Sequence, residues 1–190
     1  MKYIILVLIC FAGRLYSQGL YTQVITYTHR SSFKEVVALS PKIQEMEEGR
    51  FKNDLKIALA YAHLNLFQYD ECLKILSGIS RPDNMQSGSI HQIQGLYFLL
   101  DQKYKKAGNE FSLAMEFFND PQSKTQFFEA SNNLAYSLNV LREDNEYSNI
   151  LTDRVIEYCE SNGDSILLSY SLMNKSLSYP TNAIVALQKA

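Results

Sequence analysis

Three histidines, three cysteines and a scatter of carboxylates are the residues of this chain that could hold a metal or carry a proton. His29, His63 and His91 stand apart, with no cysteine, carboxylate or second histidine at metal-ligand spacing. His63 interrupts the apolar run IALAYAHLNLF (57–67), where a hydrogen-bonded core histidine is the expected state. Neither a glycine-rich phosphate loop nor a nucleophile elbow is present. EMEE (45–48) places Glu45 and Glu48 three residues apart, and is expected to be a solvated helix face. REDNE (142–146) reads as an exposed loop. No catalytic residue, cofactor site or metal site is therefore predicted, and the chain is not expected to be an enzyme.

The first segment, MKYIILVLICFAGRLYSQ, belongs to targeting rather than to the fold. A basic start at Lys2, an apolar run shorter than the ~20 residues of a bilayer span, and small residues near its end describe a secretory signal over 1–17. Cleavage is expected before Gln18, with an uncleaved anchor as the alternative left by Arg14. Cys10 follows Leu8 and Ile9 rather than a small residue, so it is not read as a lipid-attachment site. Removing Lys2 and Arg14 leaves 16 bases against 20 acids. That mild acidity, without a basic block, argues against nucleic acid as a partner. The chain is expected to be exported, periplasmic or associated with the cell envelope, without a membrane span after signal removal. Cys72 and Cys159 fall at apolar positions of helical patterns and are expected to be separate buried thiols.

Strand signals are scarce. Turn-forming residues cluster at 80–89, 119–125, 161–165 and 178–181, and between them apolar residues recur at three- and four-residue spacing, the period of a helix. IALAYAHLNLF and IQGLYFLL (93–100) are apolar nearly all round and must be covered on several sides. The pattern also repeats. With Tyr69 set on Tyr104, Cys72 falls on Ala107, Leu76 on Phe111, Ile79 on Ala114, and Leu59–Ala60 on Gln94–Gly95, a period of 35 residues. The same register places Ser171 under Gly95, and Pro180, Ala183, Leu187 and Ala190 under the second half of the motif. Another copy starts at Leu134–Ala135 and departs after Leu138, with a longer loop and a second helix from about Tyr147.

A small residue in a first helix, an aromatic opening a second, then small, bulky and small residues before a proline make a pattern that resembles tetratricopeptide (TPR) repeats, in a form like that of exported Bacteroidetes proteins. The copy at 88–121 carries Gly95, Phe98, Tyr104, Ala107, Phe111, Ala114 and Pro121. That at 53–86 keeps Leu59, Ala60, Tyr69 and Leu76; 127–160 is degenerate and 164–190 partial. The resemblance implies an all-α fold: an α-solenoid of about three to four antiparallel helix pairs over 53–190. Residues 18–52 would form an N-terminal helical cap or a decayed repeat of two helices. There Ser32 or Ser40 caps a start, Pro41 suits a first turn and Gly49 ends a helix. Gly95 and Ala107 would let paired helices approach closely, and Pro121 would stop the second helix.

In TPR proteins the first helix of each pair lines a concave groove. Carried over, that rule names Ile57, Tyr61 and Asn65, then Gln92, Leu96 and Leu99, then Asn132, Tyr136 and Asn139 as a candidate peptide groove. Uncharged amides and phenols suit an extended peptide backbone. The alternative is a face covered by the N-terminal segment. Ile57 and Tyr61 stand where a lysine/asparagine clamp for a terminal carboxylate would begin, so a chaperone co-factor is not implied. The function expected is a non-catalytic interaction module or scaffold of the cell envelope, binding a protein or peptide, with self-association through the C-terminal helix as a further expectation. The competing reading is a periplasmic sensory portion of a signalling or transcriptional regulator whose output domain lies outside this chain. DSI (164–166) resembles an O-glycan acceptor and NKS (174–176) an N-glycan sequon, but a helix cap and a helix interior explain them better.

Overall fold

The structure is a computed structural model that describes residues 18–178. The signal segment 1–17 and the register positions Pro180, Ala183, Leu187 and Ala190 lie outside the described residues. Within them every regular element is helical. They are α1 (18–29), α2 (Phe33–Ala38), α3 (Ser40–Gln44), α4 (Arg50–Asn65), α5 (Tyr69–Ser77), α6 (Asn84–Leu100), α7 (Tyr104–Phe117), a single 3-10 turn (Pro121–Ser123), α8 (Lys124–Leu141), α9 (Asn145–Asn162) and α10 (Ser165–Ser178). The chain forms two compact units, divided after Gln86.

One backbone device recurs between helices. A residue with left-handed φ follows the helix, and the N–H after it reaches back five residues. Ser31, Phe67, Gln102 and Arg142 have φ of 55°, 60°, 56° and 56°, spaced 36, 35 and 40 residues apart. The bonds are Ser32 N to Tyr27 O (2.8 Å), Gln68 N to His63 O (2.9 Å), Lys103 N to Phe98 O (2.8 Å) and Glu143 N to Leu138 O (3.1 Å). This is the Schellman closure of a helix end, which satisfies carbonyls that would otherwise be orphaned. It turns the chain sharply, so α1/α2, α4/α5, α6/α7 and α8/α9 are hairpins. Gly163, φ 73°, closes α9 in the same way.

Four of these five left-handed residues are not glycine, and each carries the cost of a Cβ in that region, about 1 kcal/mol. Gln102 is exposed. Gln102→Gly is therefore expected to raise stability by about 0.5–1 kcal/mol, since glycine removes the strain and gives back part of it as chain entropy in the unfolded state. A rise in the urea midpoint checks this; a fall would mean the side chain contributes more than its strain costs.

In the first unit, residues 18–86, the N-terminal helices pack on α4. Leu20, Val24, Val36, Leu39 and Ile43 share one core with Leu55, Ala58, Leu59 and Ala62 of α4. The segment before α4 holds three helices, not the two expected. Pro41 is the reason: it supplies no N–H to continue from α2, so the second arm breaks into α2 and α3. Ser32 is the N-cap residue of α2 but its hydroxyl makes no cap bond, and Leu39 rather than Ser40 precedes α3. Gly49 starts α4 instead of ending a helix. Residues 45–49 are the connection between α3 and α4, not a helix face. Glu48 there pairs with Lys52 (2.8 Å) and Lys56 (3.4 Å). The Lys52 hydrogen bond holds the Glu48 carboxyl below the usual glutamate range. The Lys52 ammonium, almost fully buried, also donates to Gln44 O (3.0 Å) and Met46 O (2.7 Å), so all three of its protons are used.

The expected turn at 80–89 is shorter than its composition suggests. Helix α6 already begins at Asn84, because Asp83 and Gln86 form a reciprocal cap: Gln86 N donates to Asp83 Oδ1 (2.9 Å) and Asp83 N to Gln86 Oε1 (3.2 Å). Gln86 Nε2 is further tied to Arg50 O (3.0 Å) and Asp54 Oδ1 (2.6 Å), which fixes this turn on the start of α4.

In the second unit a glycine marks the close approach of α6 to α7. A Cβ on Gly95 would lie 2.5–2.8 Å from three ring carbons of Phe111, which is itself fully buried. Ala107, Phe111, Leu134, Ala135 and Leu151 form one core, with Leu96, Phe98 and Leu99 against it. Helix α7 ends at Phe117, short of Pro121, which instead opens the 3-10 turn capped by Asp120 Oδ1 on Gln122 N (2.8 Å). Helix α9 starts at Asn145, two residues earlier than expected, with Asp144 as its cap on Tyr147 N (3.1 Å). Helix α10 packs on both α8 and α9.

Candidate functional site

The nine candidate groove residues fall on both units. In the first, Ile57, Tyr61 and Asn65 are spaced four residues apart on one face of α4. Ile57 and Tyr61 are half-buried and Asn65 is exposed. The Tyr61 ring meets Phe33 of α2 edge-on, with centroids 5.8 Å apart, so α2 covers part of this face. Asn65 Nδ2 donates to Tyr61 O (2.8 Å) within its own helix.

In the second unit α6 carries Gln92, Leu96 and Leu99, all half-buried, with both leucines leaning on the Phe111 core. The Gln92 amide oxygen is buried and finds no hydrogen-bond partner among the described residues. On α8, Tyr136 is half-buried and approaches Tyr104 edge-on at 6.4 Å.

Asn132 and Asn139 do not line an open surface. Both are buried beneath α10. Asn174 Nδ2 donates to Asn132 Oδ1 (2.8 Å) and to Asn132 O (3.0 Å), while Ser171 Oγ donates to Asn132 Oδ1 (3.0 Å). Asn139 Nδ2 donates to Asn174 O (3.1 Å), and its Oδ1 accepts from Ser148 Oγ of α9 (2.6 Å). The amides that suit a guest peptide are spent on the molecule's own last described helix. The contact joins residues 35 to 42 apart, which α8 alone does not signal. The same network places Asn174 of the NKS sequon inside the fold. In DSI, Asp164 Oδ1 accepts from Leu167 N (3.0 Å), the ordinary cap of α10.

His63, His91 and the two cysteines are tied into the fold. His63 is buried, with Nδ1 against Gln68 Oε1 at 2.7 Å. His91 Nδ1 lies 2.8 Å from Glu110 Oε2 and its ring stacks on Phe117, pairing α6 with α7. Among the described residues no three His, Cys, Asp or Glu side chains gather as metal ligands would, and no helix is long and apolar enough to cross a membrane. Cys72 and Cys159 are free and buried. Burial pushes the Cys72 thiol up to about 11, and burial with the nearby Asp164 carboxylate raises that of Cys159. Since the thiolate is the reactive form, both are expected to resist a thiol reagent at pH 8 in the folded protein and to react fully in denaturant. Reaction of either at the rate of a free cysteine would contradict the burial.

One surface was not singled out from the sequence. Ile166, Tyr170, Met173 and Leu177 of α10 are large, apolar and exposed. Their spacing of 4, 3 and 4 was legible, but the small residue at Ser171 drew the register to the opposite face. Comparison with protein-family models, with curated proteins and with solved structures returned no match to the chain.

Proposed function

We propose that this protein is a non-catalytic interaction module of the cell envelope, a TPR-like stack of helix pairs that binds an extended segment of a partner protein. The observation that carries this reading is the recurring closure at Ser31, Phe67, Gln102 and Arg142, 35 to 40 residues apart. Such repetition of one hairpin is how helical repeats build long surfaces from units that cannot bury their own apolar faces. The fit of Gly95 on Phe111 supports the same reading, because the motif reserves that place for the closest helix-to-helix approach.

With Asn132 and Asn139 spent, the binding face is narrower than the sequence implied. In the second unit it rests on Gln92, Leu96 and Tyr136, which are uncharged and only half covered. The unpaired oxygen of Gln92 is an acceptor that a guest backbone N–H would satisfy after a side-chain rotation. Export, through the segment 1–17, belongs to the same proposal. The test is site-specific photo-crosslinking in the native cell envelope. A photoreactive residue at 96 or 136 is expected to capture one and the same partner, and one at the exposed Glu116 is not. Tyr136→Ala should weaken that capture. Equal yields from all three positions, or capture indifferent to Tyr136→Ala, would remove the groove from the proposal.

A further inference from the structure

Asn162 and Gly163 are the one Asn-Gly pair in the chain. Such a pair carries its own reactive couple: a side-chain amide carbon and, one residue on, a backbone nitrogen with no side chain to shield it. Here the pair closes helix α9, and both residues are exposed to water. A Cβ built on Gly163 would meet no more distant part of the described chain within 4 Å. The fold nevertheless holds the couple apart. Asn162 Nδ2 donates to Tyr158 O (2.8 Å). Gly163 N donates to Cys159 O (2.8 Å), which also accepts from Asp164 N (3.2 Å). The nitrogen can attack only after losing its proton, and that proton is engaged by Cys159. Asn162 is the last residue of α9, and ring closure requires it to leave the helical ψ of about −42°.

We propose that Asn162–Gly163 is a self-modification site gated by the end of α9. When the α9–α10 turn opens, the Asn162 amide is lost through a cyclic imide, and the product weakens the turn that released it. In the opened turn Gly163 N gives its proton to solvent base and bonds to Asn162 Cγ. The Cγ–Nδ2 bond breaks, and Nδ2 leaves as ammonia with a proton taken from water. Water then adds to one of the two imide carbonyls and cleaves its bond to Gly163 N. The chain is left with aspartate at 162, or with an isoaspartyl link that runs through the side-chain carbon. Water is the sole co-reactant, and nothing is oxidised or reduced.

Either product carries a carboxylate where an amide stood. Tyr158 O loses its side-chain donor, and the new charge falls at the negative end of the α9 dipole. The last turn of α9 holds no basic residue to offset it. Asp164, which caps α10 through Leu167 N (3.0 Å), adds a like charge two residues on. The helix beyond this turn is the one seated on Asn132 and Asn139, so the change loosens α10. The inference concerns the α9–α10 turn and stands apart from the peptide-groove reading on α6 and α8.

The experiment is incubation of the full chain at pH 8, with aspartate and isoaspartate at 162 counted by peptide mapping. Conversion in the folded protein is expected to be at least tenfold slower than in guanidinium chloride, because it waits on local opening. In Asn174→Ala, which loosens α10 without touching the reacting atoms, it should be at least threefold faster than in the folded parent. Equal rates in the folded and denatured chain would overturn the gate, and so would a folded rate that Asn174→Ala leaves unchanged. Failure of the denatured chain to convert at 162 would remove the site itself. Asn162→Asp, a stable mimic of one product, tests the consequence separately. It should speed hydrogen exchange of α10 amides at least threefold and leave α4 and α5 unchanged. Exchange in α10 equal to the parent's would overturn the weakening of the turn.

Discussion

Phe111→Ala is expected to cost about 3–5 kcal/mol, the range for deleting a fully buried phenyl ring from a well-packed core. The ring is held between Gly95 on α6 and the Ala107, Leu134 and Ala135 cluster, so the hole has few mobile neighbours to fill it. The partner position behaves in the opposite sense from its propensity. In an exposed helix Gly→Ala gains about 1 kcal/mol. Gly95→Ala is expected instead to lose about 2 kcal/mol, because the new methyl would overlap a ring that cannot move away. The two effects are coupled. In a Phe111→Leu background the overlap is relieved, and Gly95→Ala should become neutral or favourable. Chemical denaturation of the four proteins of this cycle, with hydrogen exchange to localise the loss to α6 and α7, checks the prediction. Additive effects would show that Gly95 and Phe111 do not meet as described.

The second large effect lies at the amide seam. Asn174→Ala removes two hydrogen bonds to Asn132 and leaves a small void between α8 and α10. Asn132 Oδ1 keeps only its bond from Ser171. With a buried hydrogen bond worth about 1 kcal/mol and a further cost for desolvated groups left unpaired, the loss is expected to be about 2–3 kcal/mol. It should be local. Protection of α9 and α10 amides should fall while that of α4 and α5, in the other compact unit, is unchanged. Asn174→Asp makes the same point more sharply, since it introduces a carboxylate where only an amide donor fits. A variant as stable as the parent would mean the seam contributes position but not stability.

These two sites also mark how far the sequence could be read. Gly95, Tyr104, Ala107 and Phe111 announce a close helix pair because only small residues permit that approach, and their hairpin forms as read. The first hairpin is built on the same turn, although over 18–52 the sequence left a helical cap and a decayed repeat as alternatives. Its equivalents of Gly95 and Ala107 are Val24 and Val36, both fully buried, so the closure at Ser31 recurs without the small-residue signature. Pro41 then splits its second arm and hides the remaining register. The pair α8/α9 drifted from the 35-residue period because its turn at Arg142 comes 40 residues after Gln102. One residue more separates that turn from the inward face of α9, so Ser148, Thr152 and Val155, 41 residues after Ala107, Phe111 and Ala114, are the buried residues at the same spacing. The groove residues were read least well. Whether an asparagine on α8 faces a guest or another helix depends on where α10 lies, and no local pattern around Asn132 or Asn139 carries that information.

The seam between α8 and α10 is made of asparagine and serine, none of which ionises. A contact fixed by ion pairs weakens as dissolved electrolyte rises or as carboxylates take up protons. This one has nothing to screen and nothing to titrate. The α8–α10 seam is therefore set to hold equally in dilute and in saline, in acidic and in alkaline surroundings, whereas the Lys175–Asp153 pair that joins α10 to α9 is not.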